Sequence, residues 1–453
     1  MSQVHLSLTK CGYNEQAESD GYGPVKGTLS SYRIGMIWLA ANLVVTTLLT
    51  GTLFVPGVAW HIALSLIIIG TVIGASVLVL VGNMGTRTGL STMGLTKGAF
   101  GLRGAYATSM ANVIILMGWS WVQAILAGVT VNFLSAQLFG FSNPVLFSVL
   151  CQLLVVGLAI FGHAGIARVE PWLAFVILAI IAYVFFIAFS NFSLAQFEAL
   201  PINASLGWNE VGVLDVVIAT AISWTVLSAE FNRLAKTQKA GVLGSGIGYV
   251  ISTVLSMSLG ATLMGYLTLQ GNAVNGFDPI EIVNAFGIPL AMAIFLSVIA
   301  TNTMVVYGMV SSVINLTPNK KWSFMKVALV IGAISVAGSS WLAMLDKFTE
   351  FLTLIGALFV PVFAIMIADY YWLKKASYHQ DILLGKGGRY WYQKGVNLLA
   401  VLTWLGGFLF SLWLVNIPNN MFGVTLPTFI FSFVVYIASM KSKARLVGER
   451  VAH

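Results

Sequence analysis

From Ala105 to Leu134 the chain carries no Asp, Glu, Lys or Arg. At about 1.5 Å of rise per residue, a helix over that run is longer than the roughly 30 Å of a bilayer's hydrocarbon core. Similar apolar runs recur along all 453 residues, of which only 8% are charged. A soluble domain averages about 25%. In lipid every backbone polar group must be satisfied within the chain, so spanning segments are helices or closed barrels. These runs lack the two-residue alternation of a barrel strand. The fold class is therefore an all-α polytopic membrane protein, with the lipid bilayer as its first partner.

Twelve spans are expected, near residues 33–56, 58–82, 105–134, 144–164, 170–191, 212–232, 241–269, 286–315, 322–345, 347–373, 393–415 and 423–440. Lys and Arg orient them, because basic residues gather on the cytoplasmic side. With the N-terminus inside, 22 of the 23 basic residues fall on the inner side and only Lys347 falls outside. An error in the helix count would scramble that alternation. The outer connections carry acids instead: Glu198, Glu210, Asp278 and Glu281. The expected organisation is a cytoplasmic tail over 1–32, a transmembrane region over 33–440 and a cytoplasmic C-terminal tail over 441–453. The polar start of the chain does not read as a secretory signal peptide, and the location expected is the cytoplasmic membrane.

Several function classes fall away. The largest inner loops are too short for a nucleotide-binding domain. No His, Asp and Glu cluster and no GxSxG motif points to an enzyme. The net charge of +8 is scattered among loops and implies no nucleic acid. Cys11 and Cys151 fit no metal or redox spacing. A transporter driven by a gradient remains, with a channel or passive facilitator as the alternative class.

Polar residues inside spans are costly and usually face the bundle interior, so they carry the information. In the third span Asn112, Leu116, Trp119 and Gln123 share one helical face, while Trp121 points nearly the opposite way. Trp119 offers a flat stacking surface and Gln123 a paired donor and acceptor, which suits a planar heterocycle. Helix packing is the competing reading. In the sixth span Thr220, Ser223 and Trp224 cluster at the centre, with Glu230 and Arg233 at the inner end as a surface pair. In the eighth, Ser297, Thr301, Asn302 and Thr303 are dense for a mid-span region, and hydroxyl oxygens with nearby carbonyls suit Na+, with helix packing as the competing reading. Asn42 in the first span marks a candidate break with no Gly or Pro beside it. The loop "GNMGTRTGLSTMGLTKGAFGLRG" (Gly82–Gly104) reads as a tight cytoplasmic loop, and "IADYYW" as part of an interfacial aromatic belt. No mid-span carboxylate stands out as a proton carrier.

Several stretches together resemble the nucleobase cation symporter-1 family, in its purine–cytosine permease branch. They are "GTRTGLSTMGLTKGAFGLRG", the Gly118–Trp119 pair, "ISWTVLSAEFNR", "ATNTMVVYG" and "IADYYW". The resemblance implies a leucine-transporter-like fold, with inverted repeats of five helices over 33–191 and 212–373 and two further helices over 393–440. It implies a substrate stacked on Trp119, probed by Gln123 as in hydantoin-transporting members, with Ser223, Trp224 and the backbone at Asn42 and Leu43 completing the site. Cytosine permeases place their glutamine where Leu116 stands here, and their sandwiching aromatic would fall at Ala221. The family's ion site falls on the carbonyls of Leu39 and Asn42 and on Thr301, with Ser297 in place of a hydroxyl missing at Ala300. The expected function is an ion-coupled symporter, using Na+ or H+, that imports a nucleobase such as cytosine or a purine. A permease for allantoin, a hydantoin or a hydroxymethylpyrimidine is the alternative.

Overall fold

The computed structural model describes residues 24–160, 163–271, 279–316, 323–384, 386–418 and 420–446. Cys11, Asp278 and most of the expected N-terminal tail lie outside the described residues, as does the side chain of Glu281.

The membrane region opens with α1 (Ser31–Asn42) and α2 (Val45–Thr52), two half-helices bent by 56° between them. Next come α3 (Trp60–Thr88), a short α4 (Thr92–Phe100), α5 (Gly104–Phe139), α6 (Pro144–Ile160) and α7 (His163–Asn191). After a short α8 (Leu194–Glu198), α9 (Glu210–Trp224) passes through a 3-10 turn over Thr225–Leu227 into α10 (Ser228–Asn232). The second group continues with α11 (Gln238–Leu269), a short α12 (Pro279–Phe286), α13 (Ile288–Leu316), α14 (Phe324–Gly338) and α15 (Phe348–Ile367). Finally α16 (Leu398–Val415) and α17 (Thr425–Leu446) pack on α15 and on each other.

Among the described residues nine stretches are long and apolar enough to cross a membrane. The α1–α2 pair makes a tenth, and α6 and α14 are shorter apolar helices. The arrangement is consistent with the twelve spans expected.

The pairing of helices reveals the repeat. The broken first span of one half (α1 and α2) lies on α11, the second span of the other half. The broken α9–α10 lies in turn on α3, and the third spans α5 and α13 pack on each other. This exchange is what an inverted five-plus-five repeat produces. Small residues make it possible, since lipid offers no hydrophobic drive and helices associate through close packing. A Cβ at Gly260 would fall on the carbonyl of Leu48, and one at Gly248 on that of Gly35. In the matching contact a Cβ at Gly85 would stand 2.6 Å from the Cβ of Ala229.

Three sequence expectations need correction. The glycine-rich loop contains a helix, α4. The Ser91 side chain accepts from Gly94 N at 3.1 Å, and Glu230 Oε2 accepts from Thr92 N at 3.1 Å and from Thr92 Oγ1 at 2.6 Å. Glu230 and Arg233 are therefore not a surface pair: they are 2% and 6% exposed, and the carboxylate serves a helix start. In "IADYYW" only Trp372 lies at the rim, 64% exposed. Asp369 is buried and accepts from Tyr378 OH at 2.9 Å and Tyr436 OH at 2.8 Å, which ties α15 to α17 and to the loop between α15 and α16. Carboxylates thus do occur within or at the ends of spans: Glu230 and Asp369 are buried, and Asp215 is half-buried.

The face rich in Lys and Arg is also held by the segment before α1. Val25 N donates to Gly89 O at 2.9 Å, and Lys236 N to Leu29 O at 2.9 Å, so this segment bridges the α3–α4 and α10–α11 junctions.

Candidate functional site

The break in the first span sits at Leu43 and Val44. Leu43 N still donates to Leu39 O at 3.0 Å, but its ψ of 61° ends the helix, and Val44 is extended. A helix end leaves carbonyls without an intrahelical partner. Here side chains from two other spans supply partners. Thr301 Oγ1 donates to Ala41 O at 2.9 Å, and Ser256 Oγ to Asn42 O at 3.5 Å. On the other side of the break Val45 N donates to Ser297 Oγ at 3.3 Å.

Asn42 is fully buried and pins the break to α11. Its Nδ2 donates to Thr253 Oγ1 and, at 3.5 Å, to Ser252 Oγ, and its Oδ1 accepts from Thr47 Oγ1 at 3.0 Å. Of the ion-site residues expected, Ser297 and Thr301 do meet the broken backbone. Leu39 does so less directly, its carbonyl being taken by the last helical hydrogen bond of α1. The carbonyl that Thr301 reaches is Ala41's, which no side-chain pattern could reveal. Asn302 belongs elsewhere: its Nδ2 donates to Ser120 O at 3.1 Å and to Gln152 Oε1 at 2.8 Å. Gln152 in turn reaches Ser120 and Ser335, in a network joining α5, α6, α13 and α14.

On α5, Trp119 is half-buried and takes two rings edge to face. These are Phe348, with centroids 5.8 Å apart, and Phe351, at 5.6 Å, both from the first turn of α15. Sequence reasoning missed these two partners, although aromatics three apart at a span's start were a visible signal. One turn along from Trp119, Gln123 is 1% exposed and its Oε1 has no hydrogen-bond partner. Trp121 faces away, as its position on the helix implies. It fills the space over Gly338 of α14 and meets Trp341 edge-on at 6.5 Å. Asn112 is used in packing, donating to Ser312 Oγ at 2.8 Å.

On α9, Trp224 is 8% exposed at the last helical position before the 3-10 turn. No ring pair joins it to Trp119 among the described residues. Ser223 Oγ donates to Thr220 O at 2.7 Å, so its proton is already committed. Ser223 and Thr220 line a cavity of about 280 Å3 walled by α9, α15, α16 and α17, and neither Trp119 nor Gln123 reaches it. Ser297 and Thr301 thus meet at the break in the first span, while Ser223 opens on a cavity that Trp119 and Gln123 do not line.

A family model described as permease for cytosine/purines, uracil, thiamine, allantoin matches residues 26–436. The chain is 25% identical to the purine-uracil permease NCS1 of Arabidopsis thaliana, over 85% of this chain and 69% of that protein. It is 24% identical to the allantoin permease of Bacillus subtilis, over 95% and 94%. It is 23% identical to the cytosine permease of Escherichia coli, over 77% and 80%. Among solved structures, Mhp1, a nucleobase-cation-symport-1 family transporter closed on bromovinylhydantoin, superposes with a TM-score of 0.79 at 17% identity, covering 94% of this chain and 96% of that one. A Na+-coupled sialic acid symporter gives 0.65 at 16% identity, covering 94% and 92%.

Proposed function

Because the chain belongs to the family of permeases for cytosine/purines, uracil, thiamine and allantoin, we propose that it imports a flat N-heterocycle of the nucleobase class by ion-coupled alternating access. It is a secondary transporter of nucleobase type and not an enzyme. The observation that carries the substrate reading is the pairing of the half-buried Trp119 ring with the unpartnered Oε1 of Gln123 one turn away. A buried acceptor without a partner costs about 1–3 kcal/mol. A ring N–H of a base lying on Trp119 supplies the missing donor. Trp224 and the backbone at Asn42 and Leu43 complete the site. Ser223 is left out of it, because it opens into a different cavity.

The coupling ion is proposed to be Na+, held where the first span breaks. Backbone oxygens freed at a mid-membrane break, with hydroxyls from a facing span, are the usual donors for such an ion. Thr301 and Ser297 give their protons to Ala41 O and Ile294 O, which leaves their oxygens with lone pairs to offer. The protein is placed in the cytoplasmic membrane, with its face rich in Lys and Arg and both termini on the cytoplasmic side.

The test is a thermal-shift screen of the purified protein against cytosine, uracil, adenine, xanthine, allantoin and hydantoin, with and without Na+. A ligand that binds the folded state raises its stability in proportion to the logarithm of its concentration. The reading predicts a stabilising heterocycle whose effect grows with Na+. No shift with any of the six would remove the substrate assignment, and shifts indifferent to Na+ would turn the coupling toward H+.

A further inference from the structure

We propose that the cavity of about 280 Å3 between α9, α15, α16 and α17 is a second ligand site, built for a small protonated aromatic amine. Its volume lies near the lower end of the roughly 300–1,000 Å3 that small-molecule pockets span. Its walls are mostly apolar, and Trp208, held edge-on by Phe54 at 5.4 Å, gives them a flat aromatic surface. At Gly356 nothing stands within 4 Å of the position a Cβ would take, so α15 leaves this space open.

The charge of the lining is one-sided. Asp215 lines the cavity, and no Lys, Arg or His does. Two backbone N–H groups, of Val424 at 2.9 Å and Thr425 at 2.7 Å, both fall on Asp215 Oδ1 and fix the carboxylate at the start of α17. A second, independent observation is Thr428. It is fully buried, it lines the cavity, and its Oγ1 has no hydrogen-bond partner. A cationic N–H group near Asp215 gains a charge-assisted hydrogen bond in a poorly solvated setting, while an anion meets a like charge with no counter-cation. An aromatic body lies against Trp208 and the apolar walls.

The site is separate from the one at Trp119. At about 100° per residue, Phe348 and Phe351 lie on one side of α15, and Thr353, Gly356 and Val360 on another. The inference therefore does not depend on the identity of the transported heterocycle.

Calorimetric titration of the purified full-length protein with tryptamine tests it, with indole-3-acetate as an anion of similar shape. Saturable binding of tryptamine and none of indole-3-acetate is expected. Gly356→Leu should abolish that binding by filling the cavity. Asp215→Asn, which keeps the oxygen that caps α17, should weaken it at least tenfold, and it decides the matter if Gly356→Leu does not elute as a folded species. Trp119→Ala should bind tryptamine like the wild type. No tryptamine binding would overturn the proposal, and so would equal binding of the two compounds or undiminished affinity in the cavity variants. Loss of binding in Trp119→Ala would place tryptamine in the transport site and overturn it as well.

Discussion

Thr301 on α13 donates a hydrogen bond of 2.9 Å to the carbonyl of Ala41, one residue before the end of α1. The bond joins the eighth span to the point where the first one breaks, across 260 residues of sequence. An oxygen-lined site formed there depends on both helices, so anything bound to it couples their positions. Thr301→Ala removes the hydroxyl and leaves the Ala41 carbonyl short of a partner. Uptake should lose its stimulation by Na+, and stability should fall by about 0.5–1.5 kcal/mol. Thr301→Ser should restore both. The comparison is made by radiotracer uptake in sodium and choline buffers, and undiminished sodium stimulation in Thr301→Ala would count against the ion assignment.

Asn42 holds the break itself. Replacing it with Leu keeps the volume but strips hydrogen bonds from Thr253, Ser252 and Thr47, all buried. Polar groups left unpaired in the interior are expensive, so Asn42→Leu should cost about 1–3 kcal/mol. Thermal unfolding in detergent measures this, and an unchanged midpoint would mean that the break is held by backbone contacts alone.

The buried Asp369 predicts a coupling between distant segments. Tyr436→Phe removes the donor to Oδ1, and hydrogen bonds to charged groups are worth about 1.5–3 kcal/mol. The loss should be smaller in an Asp369→Asn background, because the two residues act on one contact. A double-mutant cycle read by thermal unfolding resolves it. Strictly additive effects would show that Tyr436 stabilises α17 by some other route.

Much of the architecture was readable because hydropathy and basic residues act over whole segments. Apolar runs mark where helices cross without any knowledge of contacts, and the alternation of Lys and Arg supplies an expected orientation. The break at Leu43–Val44 was only partly readable: Asn42 marks the place, but no Gly or Pro confirms it, and the stabilising hydroxyls come from Ser256, Ser297 and Thr301, far along the chain. The two buried carboxylates, Glu230 and Asp369, escaped for the same reason. Glu230 finds Thr92 138 residues away, and Asp369 finds Tyr436 67 residues away. α4 could have been found, because Ser91 ahead of an apolar stretch is a helix-start signal and Gly101, at φ 81°, is a helix stop. The shared face of Trp119 and Gln123 was visible from helical spacing, and the opposite orientation of Trp121 with it. Ser223 was drawn into the same site by the family resemblance, whereas it lines a cavity together with residues of α15.

The central claim is that Gln123 reads the edge of a heterocycle lying on Trp119. Equilibrium binding of the heterocycle that most stabilises the wild type, measured with purified Gln123→Leu, tests it most directly. Leu occupies a similar volume and abolishes the hydrogen bond, so affinity should fall about 10- to 100-fold, or roughly 1.4–2.8 kcal/mol. The unliganded melting temperature should not fall, because no protein group loses a partner at Oε1. Wild-type affinity in Gln123→Leu would contradict the account and move the substrate away from Trp119.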